Sequence, residues 1–188
     1  MKKIVMTPNP YRDRNFKYAN QAERILKEAG LETRICLAFD PDKNFELPED
    51  VVLHDLTQEL RDADLLICFG GDGTILHAAR DATLHNVPIL GINMGSVGSM
   101  AELERGELSQ LARLAQGELV VEERMMLDVR VFRGEKMVSD ELALNDAVLS
   151  KGSIARVAEL DVFADGTHIC QLSGDGVVVA TPTGSTAY

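Results

Sequence analysis

The sequence holds no apolar run approaching the roughly 18 residues that a membrane-spanning helix needs. Its longest candidates, Leu65 to Phe69 and Val177 to Ala180, are strand-sized, so the chain reads as soluble and no membrane partner is expected. A signal-peptide core is missing as well. Met1-Lys2-Lys3-Ile4-Val5-Met6 reaches Pro8 and Pro10 before such a stretch can form, and the start reads as a first strand. Cysteine is scarce: Cys36, Cys68 and Cys170 are far apart, odd in number and set in apolar segments. That matches neither a disulfide framework nor zinc spacing, and points to buried thiols in a reducing, cytoplasmic setting. Basic residues are outnumbered, 19 against 30 acidic, for a formal net charge of −11. A nucleic-acid footprint needs clustered Lys and Arg, so no nucleic acid is expected and any polyanion must be held locally. Glycine too is nearly missing at first, with only Gly30 in residues 1 to 69.

What is present is an ordinary globular composition, 45% hydrophobic and 26% charged over 188 residues, enough for one domain or one and part of a second. Residues 70 to 98 hold six of the fifteen glycines, which marks where the backbone must do something special. The first hundred residues alternate strand and helix. Strands are expected at Lys3 to Thr7, near Thr33 to Leu37, at Val51 to His54, Asp64 to Phe69 and Val87 to Ile92. Helices are expected around Ala19, Ala22, Ile25 and Leu26, stopped at Gly30, then at Leu56 to Ala63, Thr74 to Leu84 and Leu108 to Ala115. Beyond about residue 118 the period becomes alternating, with hairpin signals at Arg133-Gly134-Glu135-Lys136 and Asp165-Gly166. The expectation is a doubly wound α/β domain over residues 1–100 and a β-rich domain over 101–188.

The densest chemistry lies in Gly70-Gly71-Asp72-Gly73-Thr74, directly after an apolar strand and before a helix. Glycines there let the backbone approach a ligand, and the helix start offers unpaired N–H groups to a phosphate. Asp72 is the oddity, because its charge repels phosphate; it reads as a base, a metal-bridged ligand or a helix cap. Leu76 stands where the dinucleotide fingerprint needs its third glycine, which argues against a simple dehydrogenase. A second glycine-rich loop, Gly91-Ile92-Asn93-Met94-Gly95-Ser96-Val97-Gly98, ends the next strand, and the two either line one crevice or are ordinary turns. Asn145-Asp146 is a polar pair inside a β segment, a local turn or a ligand-facing pair. Thr181-Pro182-Thr183-Gly184-Ser185-Thr186 forms a phosphate or ribose cradle or a helix cap. Of the four histidines, His77 lies one helical turn beyond Gly73.

Taken in order, Gly70 to Thr74, Gly91 to Gly95, Asn145-Asp146, Asp175-Gly176 and Thr181 to Tyr188 resemble the ATP-dependent NAD kinase family, bacterial type, over essentially the whole chain. The resemblance implies an N-terminal Rossmann-like domain and a β-sandwich-like C-terminal domain. It implies transfer of the γ-phosphoryl of ATP to the 2′-hydroxyl of the adenosine ribose of NAD, giving NADP, with a divalent cation, in a cytoplasmic homo-oligomer, dimer or tetramer. By the same resemblance Asp72 is the base, and no residue is assigned as a metal ligand. Gly71, Gly73, Thr74, His77 and Asn93 lie beside the nucleotide, and Asn145 with Asp146 contacts the adenosine portion. Arg156, Ser173 and Asp175 match ligand-contacting positions, as do Thr183, Thr186, Ala187 and Tyr188.

This chain departs from the family pattern in several places. Asp146 replaces a Glu, Ser173 stands where Arg or Lys is frequent, and Ser99 stands where Phe is usual, removing a cation and an apolar contact. The family pattern also continues past Tyr188, so the β domain is expected to be incomplete here. Two other readings stay open: a non-catalytic NAD-binding fragment, and a lipid or sugar kinase sharing the first motif.

Overall fold

The apolar stretches of the first hundred residues become one six-stranded, fully parallel sheet in the computed structural model of the chain. The structure describes residues 1–95, 98–117, 119–152 and 157–187. Strands β1 (Lys3–Pro8), β2 (Glu32–Cys36), β3 (Leu53–His54), β4 (Leu65–Gly70), β5 (Ile89–Asn93) and β6 (Leu103–Glu104) stand in the order β3-β2-β1-β4-β5-β6. The order reverses between β1 and β4, and in open parallel sheets the crevice at such a reversal is where ligands bind. All six residues of β4 are buried, as a central strand covered on both faces must be.

Alternation along the strands sorts the core. Ile4, Met6, Leu65, Ile67, Phe69 and Ile92 share a cluster with Ala19, Ala22 and Leu26 of helix α1 (Lys17–Glu28). Gly30, at φ 84°, ends α1 in a left-handed cap, with Leu31 N–H reaching back to Leu26 O at 3.0 Å. A short helix, α2 (Leu56–Glu59), runs on as a 3-10 turn, and α3 (Asp72–Leu84) covers the opposite face through Ile75, Ala78, Ala79 and Ala82.

Residues 101 to 117 also join this layer. β6 pairs with β5, and a 3-10 helix, Leu108–Gln116, buries Leu108, Leu111 and Leu114 against the same core. Their spacing of three matches the three-residue turn of a 3-10 helix, which is why the segment is not an α-helix. The chain divides as Met1–Glu122 and Glu123–Tyr188.

The second unit is β-rich. β7 (Leu127–Arg133) pairs with β8 (Lys136–Ala143), β9 (Asp146–Ser150) with β12 (Gly176–Ala180), and β10 (Ala158–Ala164) with β11 (Thr167–Gly174), each antiparallel. Both expected hairpins form. Asp165 and Gly166 each have positive φ, 49° and 77°, the backbone that a two-residue turn matched to strand twist requires. Among the described residues of this unit only Thr181 and Gly184 are buried.

Candidate functional site

The sheet reversal brings the ends of β1 and β4 together, and Asn9 joins them. Its backbone N–H donates to Phe69 O at 2.8 Å, and its side-chain amide donates to Thr74 Oγ1 at 3.0 Å. The Asn9 side-chain oxygen Oδ1 in turn accepts from the N–H groups of Tyr11 and Arg12 at 3.0 and 3.2 Å. Asn9 is absent from the candidates drawn from sequence; its signal was Pro8-Asn9-Pro10 directly after the first strand.

The glycines of the Gly70–Thr74 turn divide by what surrounds them. A Cβ on Gly70 would lie 2.1 Å from Thr74 Oγ1, so Gly70 is required by the turn itself. Gly71 and Gly73 face nothing within 4 Å, which leaves their backbone open to a ligand. Gly71 is the N-cap of α3 and no side chain caps that end; Thr74 N–H donates to Gly71 O at 2.9 Å, which leaves the Asp72 and Gly73 N–H groups with hydrogen-bonding capacity and partial positive charge.

Asp72 is the first helical residue and does not cap α3, contrary to one of the readings its position allowed. Its carboxylate turns to the loop after β5. One oxygen accepts from Ser99 N–H at 3.2 Å and from the Ser99 hydroxyl at 2.9 Å, and the other accepts from Met100 N–H at 3.1 Å. Ser99 thus supplies a hydrogen bond to Asp72 where an apolar contact was expected to be missing. The two glycine-rich loops do meet, and Met94 N–H also donates to Gly70 O at 2.8 Å. Asn93 is buried with its amide used internally, donating to Glu104 at 3.0 Å and accepting from Gly95 N–H at 2.9 Å. His77 is exposed, its ring 5.3 Å from that of Phe39.

In the second unit the structure gathers Asn145, Asp146 and the Thr181–Thr186 segment. β9 and β12 set Asp146 opposite Ala180, and Thr181 N–H donates to Asn145 O at 2.8 Å. Thr181 Oγ1 donates to Leu144 O at 2.6 Å and accepts from Gly184 N–H at 3.1 Å. Gly184 lies so close that a Cβ there would be 2.1 Å from Asn145 O. Asn145 Oδ1 is buried with no hydrogen-bond partner, at a cost of about 1–3 kcal/mol unless a donor meets it. Thr183 Oγ1 accepts from Arg124 at 3.3 Å, while Thr186 and Ala187 are exposed beside it.

Asp175 stands at the other end of the β9–β12 ribbon, about 16 Å away at the usual strand rise. It is ion-paired with Lys151 at 2.6 Å. Lys151 puts a cation near Asp175 although Ser173, on β11 opposite Glu159, does not. Arg156 and Tyr188 lie outside the described residues.

Among the described residues no group of three or more His, Cys, Asp or Glu side chains gathers to hold a metal ion, and both Asp72 oxygens already accept hydrogen bonds. No described helix is long and apolar enough to cross a membrane.

Comparison with known proteins adds a family to this geometry. The ATP-NAD kinase N-terminal domain matches residues 4–119, and the ATP-NAD kinase C-terminal domain matches residues 144–188. The chain is 37% identical over 190 residues to the NAD kinase of Ruminiclostridium cellulolyticum, covering all of this chain and 64% of that protein. It is 44% identical over 139 residues to the NAD kinase of Carboxydothermus hydrogenoformans, covering 73% of this chain and 50% of that one. The crystal structure of yeast NADH kinase complexed with NADH superposes with a TM-score of 0.82 at 22% identity, over all of this chain and 60% of the yeast chain, so the fold is shared. Spanning about 64% of the length of the first of these relatives, with both family domains matched in order, the chain belongs to the ATP-NAD kinase family.

Proposed function

We propose that the chain carries the phosphoryl-transfer site of an NAD kinase, moving the γ-phosphoryl of ATP to the 2′-hydroxyl of the adenosine ribose of NAD. The observation that carries this is the Asp72 carboxylate, fixed by Ser99 and Met100 beside the open backbone of Gly71 and Gly73. Asp72 accepts a hydrogen bond from the ribose hydroxyl, orients its oxygen for in-line attack and takes its proton late in the transfer. First-turn N–H groups of α3 receive phosphate charge. The Asn145 side-chain oxygen Oδ1, buried and without a hydrogen-bond partner, receives an amino donor such as that of adenine. A divalent cation bound with the donor neutralises charge on its phosphates. The transition state in such transfers is loose, so alignment contributes more of the barrier reduction than proton removal.

Asp72→Asn tests the role. In a coupled assay for NADP, kcat should fall by roughly 10²- to 10⁴-fold, with NAD affinity and circular dichroism unchanged. Full activity in that variant overturns the assignment.

A second reading, an NAD-binding chain without catalysis of its own, is favoured by the sparse burial in Glu123–Tyr188. Single-turnover assay of this polypeptide against one extended to its relatives' length separates the two. The homo-oligomer and the cytoplasmic setting belong to the same proposal, supported by exposed apolar residues on the β strands of the second unit and by the buried Cys36 and Cys68.

A further inference from the structure

The Gly70–Thr74 turn has no local means of holding its own shape. Gly70, Gly71 and Gly73 surround Asp72, glycine being the residue that loses most conformational freedom on folding, and no side chain caps the start of α3. Asp72 is held from one side by Ser99 and Met100. We propose that Asn9 holds the turn from the other side, as a positioning residue for phosphoryl transfer. Its side-chain amide fixes Thr74, and through Thr74 the direction in which Asp72 meets the ribose hydroxyl. The proposal rests on the kinase reading above and deepens it.

Asn9 is constrained to point one way. It follows β1 between Pro8 and Pro10, and a residue before proline is biased to extended backbone. Arg12 N–H donates to Asn9 O at 3.1 Å and Asp13 N–H to the same oxygen at 2.8 Å. This closes a turn with Asn first and Pro second, the order such turns favour. The side-chain oxygen takes the N–H groups of Tyr11 and Arg12, the local pairing that Asn makes with backbone two residues ahead. With the oxygen committed there, the amide nitrogen is left to face α3, and it donates to Thr74 Oγ1 at 3.0 Å across 65 positions of sequence. The backbone N–H meanwhile extends the β1–β4 ladder to Phe69 O at 2.8 Å, one residue before Gly70.

The receiving end is equally confined. Thr74 is 3% exposed, and a methyl on Gly70 would meet its Oγ1 at 2.1 Å. Its N–H closes onto Gly71 O at 2.9 Å. A side chain packed this tightly passes a displacement of its hydroxyl into the backbone of the turn instead of absorbing it. Asp72 lies two residues earlier in the same helical turn, so without Asn9 the turn is held at one end and pivots about the Ser99 and Met100 contacts. Misplacement of reacting atoms by about 1 Å costs on the order of 10² in rate. Because Asn9 acts on alignment, its loss falls on kcat more than on the KM for NAD.

Two variants cut the link from opposite ends. Asn9→Ser keeps an oxygen for the turn but is too short to reach Thr74, and Thr74→Val removes the hydroxyl while keeping the branched shape. In a coupled NADP assay on this polypeptide, each should lower kcat about ten- to a hundredfold, with the KM for NAD within about twofold. The double variant should lose no more than the worse single one, since both remove the same contact. Thr74→Ser, which restores the hydroxyl, should recover most of the rate. Activities are compared at equal folded fraction, taken from urea unfolding. Amide hydrogen exchange at Gly73 and Thr74 should quicken in Asn9→Ser and Thr74→Val alike. Undiminished kcat in Asn9→Ser, losses that multiply in the double variant, or a fall that vanishes at equal folded fraction overturns the positioning role. If the unaltered chain does not phosphorylate NAD, the kinase reading fails by itself. The exchange rates then decide the link between Asn9 and the turn: quickened exchange in both variants keeps it, and unchanged exchange overturns it.

Discussion

Gly70 and Gly73 lie in the same turn, yet substitution should act on them in opposite ways. An alanine methyl at Gly70 meets Thr74 Oγ1 at 2.1 Å, whereas at Gly73 it meets nothing within 4 Å. Gly73 is also exposed in the first turn of α3, where alanine is favoured over glycine by up to about 1 kcal/mol. Gly73→Ala should therefore hold or raise stability in urea unfolding while weakening nucleotide binding about tenfold or more. Retained binding with that variant would show that the open backbone is not the cradle. The sequence marks both glycines equally, because a repeat of one residue type carries no record of which copy faces its own chain and which faces solvent. Ser99 makes the same point. As a departure from the family pattern it reads as a lost apolar contact, and only the folded loop shows its hydroxyl 2.9 Å from Asp72.

At the level of elements, period and punctuation carried most of the assignment. Gly30 ends α1 where glycine was read as a stop. The end of α3 uses Asn86 at φ 53°, with Val87 N–H bonding Ala82 O at 3.0 Å, the same motif made by a residue that also populates many other turns. β6 is two residues long and has no period to read; its pairing with β5 creates it. One inter-strand tie gives a pH prediction. Asp64, just before β4, accepts the N–H groups of Lys2 and Lys3 at 2.5 and 3.0 Å. The Lys3 and Lys2 backbone hydrogen bonds hold its carboxyl below the ordinary value of 3.8. A depressed folded value means the stabilisation is present above the unfolded value and is lost as pH falls through the folded one. Asp64→Asn should accordingly lose less stability than the unaltered chain when the pH is taken from neutral to below 3.8, measured by thermal melts across that range. Identical pH slopes for the two proteins would rule the tie out as a contributor.

For the whole molecule, the core belongs to Met1–Glu122, and the second unit leaves Phe132 56%, Phe163 60% and Val179 54% exposed. Two-stranded ribbons are marginal alone, and apolar area of this kind binds hydrophobic dyes. Residues 1–122 should fold cooperatively with α/β circular dichroism and little binding of an anilinonaphthalene dye, and the full 188-residue chain should bind the dye strongly. Equal dye binding by the two would place the exposed apolar surface elsewhere. By itself the sequence determined the alternation of strand and helix, the change to β hairpins and the order of motifs that mark the family. These are local properties, since burial period and turn chemistry act over a few residues. Only the tertiary structure decided that β1 and β4 adjoin, that Asn9 bonds Thr74 across them, that Ser99 and Met100 hold Asp72, and that Thr181 and Gly184 close on Asn145. Those contacts join residues tens of positions apart. Their partners are selected by sheet order and close packing, which no local pattern of residue types encodes.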